Sequence, residues 1–143
     1  MSSFKIFDIV GSGLSAQSVR LNTVASNLAN ADSVSGDPNT VYRARHPVFQ
    51  AVKAQLGAGT SAIDQASGSS VKVKGIVQSN VLPTERYDPG NPLANENGNV
   101  YAPNVNVIEE MTDMISASRA YQDNVEVLNT SKDLMLATLK LGS

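Results

Sequence analysis

The chain contains no cysteine and no tryptophan, and aromatic residues of all kinds make up only 5% of it. The lack of thiols excludes disulfides and thiolate metal sites while leaving the redox compartment open. Charge is also scarce. Asp, Glu, Lys and Arg reach 17% of the 143 residues, against about 25% in an ordinary soluble domain. The net charge of −2 provides no basic field to hold nucleic acid or anionic lipid. No run approaches the ~18 apolar residues of a membrane span. The opening MSSFKIFDIVGSG has one Lys and an apolar stretch broken by Asp8, too poor for a Sec-type signal peptide, so export would need another route.

The ingredients of catalysis are missing as well. His46, the only histidine, has no partners for a metal or a nucleophile–base set, and beside Pro47 it reads as a surface or strand residue. Glu109 and Glu110 are adjacent, so on a helix they point to different faces; they read as charge at a helix N-terminus rather than an acid/base pair. No Walker spacing and no G-x-G-x-x-G after a strand is present. Arg43, Arg45 and His46 form a basic group too small, and too poor in aromatics, to bind nucleic acid. The expectation is a protein without enzyme activity, cofactor, metal or small-molecule substrate.

What is present is periodicity at both ends. Phe7, Val10, Leu14, Gln17, Leu21, Val24, Leu28 and Ala31 alternate by three and four, and seven of these eight are apolar, which predicts a helix over 4–31. Turn formers in DSVSGDP follow it. A second seam, Met111, Met114, Ser118, Tyr121, Val125, Leu128, Lys132, Met135 and Leu139, predicts a helix over 105–141, with Pro103 and Asn104 just upstream and Gly142 as its stop. Methionines at three of these positions suit core or interface packing.

The middle is different. Residues 57–70 are small, polar and flexible in composition, a linker or loop. VKVKGIVQSNV places Val71, Val73, Val77 and Val81 on one parity against Lys72 and Lys74, a half-buried strand with Gly75 as a bulge. YDPGNP is a turn cluster, and Asn97-Gly98 is a hairpin signal. The expected architecture is α-rich (α+β). Its terminal helices, within 1–35 and 105–143, pack antiparallel as a coiled-coil-like pair, and a small hairpin-rich β-element occupies 36–104.

The first helix poses a problem. Between Gly11 and Ala31 its only charge is Arg20, although a coiled coil in water normally charges its flanks and outer face. Its outer positions hold Ser12, Ser15, Ala16, Val19, Asn22, Thr23, Ser26, Ala29 and Asn30. Small residues let backbones approach, and Asn or Thr can hydrogen-bond across a packed contact. This favours a helix enclosed by other subunits over a solitary coiled-coil adaptor or secreted effector, whose outer faces would be charged. The positions expected to pack subunits are Phe7, Val10, Leu14, Leu21, Val24, Asn27, Leu28 and Asn30 on the first helix. On the second they are Met111, Met114, Tyr121, Val125, Leu128, Met135 and Leu139.

The stretches GLSAQSVRLNTVASNLANADS, YRARHPVF, YDPGNP and PNVNVIEEMTDMISASRAYQDNVEVLNTSKDL, in this order, resemble the bacterial flagellar rod and hook family over nearly the whole chain outside 57–70. Of the family's S-x-N-x-A-N pattern, Asn27, Ala29 and Asn30 are in register, and Ser26 stands directly before Asn27, one place later than the pattern's Ser. The short middle and the sequence ADSVSGDPNTVYRAR, in place of a T-P-G-Y-like turn, are most similar to proximal rod members, although A-N-T-T-R is replaced. The resemblance implies a structural subunit exported unfolded through the flagellar type III apparatus. It would polymerise into the periplasmic rod that carries torque, its terminal helices forming the inner tube around the export channel. Its partners would be itself and other rod proteins, with the membrane-ring and export-gate base below and the distal rod above. No catalytic residue is carried over.

Overall fold

The computed structural model describes residues 3–53 and 68–141. It consists of helix α1 (Ser3–Ala29), strands β1 (Arg45–Lys53), β2 (Ser69–Gln78), β3 (Thr84–Tyr87) and β4 (Asn99–Ala102), and helix α2 (Val107–Leu141). Two terminal helices with two small antiparallel strand pairs make an α+β fold, as the periodicities predict. Neither helix is long and apolar enough to cross a membrane.

Asparagines set the helix boundaries. α1 stops two residues before the expected Ala31, where the Asn30 amide Nδ2 donates to the Ser26 carbonyl at 2.8 Å and satisfies an orphan acceptor of the last turn. Asn106 caps α2, its Oδ1 accepting from the backbone N–H of Ile108 at 3.1 Å and of Glu109 at 3.4 Å. Asn104 instead ties two connecting segments together, its Oδ1 accepting from the Ala44 N–H and its Nδ2 donating to the Val81 carbonyl, both at 2.8 Å. Gly142, the expected stop, lies outside the described residues.

The helices lie along each other. Asn27 meets Glu110, Arg20 meets Asp113, and the side of α1 at Gly13 meets Asn124, so the contacts descend one helix as they ascend the other. A Cβ on Gly13 would lie 3.3 Å from the Asn124 amide, so its absence permits the close approach. On α2 the inward seam is displaced from the one expected. Glu110 and Ala117 are buried and Asn124 is half-buried, whereas Met111, Tyr121, Lys132 and Leu139 are exposed. Apolar residues alone misplace the face, because the surface turned to α1 is made of small and polar side chains.

β1 and β2 form an antiparallel ribbon. Val48 pairs with Gly75 and Phe49 with Val73, so the bulge falls on Lys74, beside the expected Gly75. The sequence pattern does not announce β1, and β2 is largely exposed rather than half-buried. Most of the expected 57–70 loop lies outside the described residues; Ser69 and Ser70 belong to β2.

β3 and β4 pair antiparallel across residues 88–98. Asn97-Gly98 is therefore not a two-residue hairpin. It closes a return turn in which Gly98, at φ +77°, donates its N–H to the Asn95 carbonyl. Ser35 bridges to Tyr101 through N–H···O bonds of 3.0 and 2.7 Å, tying the turn after α1 to β4. Val41, Ala44, Val100 and Pro103 are buried in this region, and Val10, Ala16, Val24 and Ala117 along the helices.

Candidate functional site

Val100 and Asn27 are the largest fully enclosed side chains, each 0% exposed. An amide hidden so completely must find its hydrogen bonds inside the protein, and Asn27 finds all four. Its Nδ2 donates to the Arg45 carbonyl and to Glu110 Oε1, both at 2.8 Å. Its Oδ1 accepts from the Arg45 N–H at 2.9 Å and from the Tyr42 hydroxyl at 2.8 Å. Asn27 thus pairs with the backbone of residue 45 much as a neighbouring strand would, while its second N–H holds α2. The Arg45 guanidinium lies 5.3 Å from the centre of the Tyr42 ring, which steadies the same segment. Asp at this position would lack both donors.

Glu110 is 5% exposed, and burial raises its carboxyl above the ordinary carboxylate range. Asp113 and Glu109 act in the same direction, opposed by the Asn27 hydrogen bond and the nearby His46. Glu109 and Glu110 both lie in the first turn of α2, as expected of helix N-terminal charge; Glu109 is exposed, and Glu110 also joins the clasp. Arg20 and Asp113 form a 2.8 Å ion pair at the partly exposed edge of the helix contact, where such pairs contribute about 0–1 kcal/mol. Within the contact, Gln17 Oε1 is buried without a hydrogen-bond partner.

α1 has three faces. Gly13, Arg20 and Asn27 turn to α2. Ser12, Val19, Thr23 and Ser26 turn to the chain's own middle: Ser12 Oγ accepts from the Val71 N–H at 3.0 Å, and Ser26 Oγ lies 3.2 Å from the Tyr42 hydroxyl. A shallow cavity of about 310 Å³ separates Val19, Thr23 and Ser26 from Arg45 and Ile76. Part of the uncharged surface, expected to await other subunits, is thus covered by its own chain; Ala16 and Thr23 are buried outright. The third face stays open. Gly11, Ser15, Ser18, Asn22, Ala25 and Ala29 are exposed and spaced alternately by four and three; this stretch carries no charge, and Asp8 begins the same stripe one turn earlier.

The expected packing positions divide accordingly. Val10, Val24 and Asn27 are buried within the chain; Phe7, Leu14, Leu21, Leu28, Asn30, Met114, Val125, Leu128 and Met135 are half-buried. Met111, Tyr121 and Leu139 are exposed, and with Ile108 at 78% and Leu134 at 63% they leave α2 with far more uncovered apolar surface than a solitary helix pair needs. Asn27 is wholly enclosed within its own chain, its amide committed to Tyr42, Arg45 and Glu110. The signal that could have marked the clasp is an Asn directly beside the seam residue Leu28, followed after the turn by Tyr42 and Arg45. Among the described residues, no three His, Cys, Asp or Glu side chains gather in a metal-holding group.

This arrangement, two terminal helices clasped at one end and uncharged or apolar on their open faces, is that of a building block rather than a catalyst. Residues 7–36 match the family model for flagella basal body rod proteins, and residues 96–141 match that for the C-terminal part of flagellar basal body rod FlgEFG proteins. The chain is 54% identical over 142 residues to the flagellar basal-body rod protein FlgC of Salmonella typhimurium, and 53% identical to that of Escherichia coli O157:H7, each alignment covering 99% of both chains. It is 41% identical over 135 residues to FlgC of Agrobacterium fabrum, covering 93% of this chain and 90% of the relative. The chain belongs to the flagellar basal-body rod protein family and is a structural subunit, not an enzyme.

Proposed function

We propose that the protein is a subunit of the proximal part of the flagellar rod. It polymerises with its own copies and with other rod proteins into the periplasmic shaft that transmits torque and encloses the export channel. It reaches that site unfolded, through the flagellar type III apparatus, and stands between the membrane-ring and export-gate base and the distal rod. Segments 1–35 and 105–143 form an antiparallel coiled-coil-like pair in the inner tube, and 36–104 faces away from the channel. The opposed order of the Asn27–Glu110 and Arg20–Asp113 contacts supports this pairing. The packing between copies uses the exposed Met111, Tyr121 and Leu139, together with the outer edges of the half-buried seam residues.

The observation that carries this reading is the open face of α1. A helix facing water gains nothing by excluding charge, whereas one packed against other helices must exclude any carboxylate that would be buried without a partner. Replacing both Ser15 and Ser18 by Glu tests it. Both positions are exposed and Glu is a good helix former, so the free subunit should fold unchanged. The expected outcome is a protein made and exported at normal levels in cells that build no rod, carry no hooks and do not swim. Normal rods and swimming would show this face to be solvated and would overturn the reading.

A further inference from the structure

The ribbon is basic, and one stripe along the far half of α2 is acidic. The two ribbon strands contain Arg45, Lys53, Lys72 and Lys74, together with His46, and neither Asp nor Glu. Val48, Phe49, Val52, Ile76 and Val77 are exposed among them. On α2, Asp123, Glu126 and Asp133 follow one another along one stripe, three and seven residues apart, all exposed. Two shallow hollows flank them. One, about 470 Å³, lies beside Tyr121, Val125, Glu126 and Asp133; the other, about 340 Å³, lies beside Asp123, Glu126 and Val127. The basic residues nearest in sequence are Arg119, one turn earlier, and Lys132, which projects from the other side of the helix.

These two surfaces do not meet within one chain. Among the described residues the ribbon packs on α1, and only its end at Arg45 and His46 comes near α2, at Glu110 and far from the acidic stripe. They do lie at the same height. Val71 is bonded to Ser12 on one flank of α1, and Asn124 lies against Gly13, the next residue, on another. A second copy set beside the first with little axial shift therefore brings its Lys72 and Lys74 to the first copy's Asp123 and Glu126. Because each copy offers two different surfaces, the contact is heterologous, the kind that closes into a ring or continues as a helix.

We propose that the β1–β2 ribbon of one copy docks on the Asp123–Asp133 stripe of α2 in the adjacent copy. Exposed Val and Ile side chains of the ribbon enter the hollows, and the lysines pair with the carboxylates around them. The complementary charge selects the partner and its register, and the apolar contacts hold it. The proposal rests on the rod reading above, in that it describes one contact within that assembly.

The absence of native cysteine makes the test direct. Lys72→Cys and Glu126→Cys are introduced together into the full-length chain, cells are treated with a mild oxidant, and basal bodies are examined without reductant. The expected result is a ladder of covalently joined copies from the double variant and none from either single variant. Dimers from a single variant would mean a symmetric contact, and joining to a different protein would mean another occupant; either overturns the proposal. Normal rods from the double variant without a ladder would also overturn it.

A charge exchange gives an independent reading. Lys72→Glu with Lys74→Glu, and separately Asp123→Lys with Glu126→Lys, should each reduce swimming several-fold, and the four changes together should restore most of it. A combination no better than either pair overturns the proposal. If the Ser15 and Ser18 carboxylates abolish rods but no ladder forms, only this contact fails. If those carboxylates are harmless, the rod reading fails with it.

Discussion

The two ends of the helix pair are built on different terms. Where α1 finishes and α2 begins, the Asn27 amide has every hydrogen-bonding position filled, and Glu110 and Ala117 are buried beside it. At the other end α2, at 35 residues, outruns the 27 residues of α1, by about 12 Å at 1.5 Å per residue. There Leu134, Leu136 and Leu139 stand exposed. The first end is complete in a single chain. The second is a set of apolar side chains still lacking a surface to meet, which is how a subunit can hold its shape alone and still gain from joining others.

Breaking the closed end should have the largest effect on the free subunit. Asn27→Ala strips partners from the Arg45 N–H and carbonyl, the Tyr42 hydroxyl and the Glu110 carboxyl at once. At about 1–3 kcal/mol for each buried group left unsatisfied, a loss of about 3 kcal/mol or more is expected in urea denaturation of the purified chain. Leu139→Ala should shift the same curve by less than about 0.5 kcal/mol, since its side chain is 65% exposed, yet reduce rod assembly. Equal losses from the two changes would erase the distinction between the ends.

A sharper comparison comes from the charge within the clasp. Glu110 has a raised pKa in the folded state, so the folded chain binds the proton more tightly than the unfolded one. The stabilisation from this group is therefore present at low pH. It is lost as pH rises from the ordinary carboxylate value through the raised one. Glu110→Gln keeps an acceptor for the Asn27 N–H and removes the titration. The expected result is a stability profile that no longer declines across that interval, measured by denaturation at a series of pH values; an unchanged decline would assign it elsewhere.

Midway between the ends the expected change is a gain in stability instead of a loss. Gln17→Met replaces the buried, unpartnered Oε1 with a side chain of similar length and should stabilise the free subunit by about 1 kcal/mol. Destabilisation would reveal a partner for Gln17 within the chain.

How much of this is legible in the sequence depends on how far apart the cooperating residues lie. The helices can be read because their period is local, and Leu14, Leu21 and Leu28 proclaim one face. The apolar seam of α2 falls one residue away from the true one because Glu110, Ala117 and Asn124, which face α1, carry little apolar signal, while Met111 and Tyr121 do. β1 escapes a sequence reading because its partner strand is distant, with Arg45 opposite Gln78. The clasp escapes it for the same reason: Asn27 meets residues 15, 18 and 83 positions away. In the sequence Asn27 looks like its neighbours Asn22 and Asn30, and nothing in the spacing ties it to Glu110.

The Asn27–Glu110 bond also sets an order in time. A chain threaded end-first through a narrow passage, as the unfolded export proposed above requires, cannot close a link between positions so far apart until most of its length has emerged. That holds whichever end leads. The individual helices can coil and uncoil during transit, but the latch that fixes one against the other closes only near completion. The protein would stay pliable for as long as pliability is useful and become a rigid piece on arrival, with the geometry of one buried amide serving as the clock.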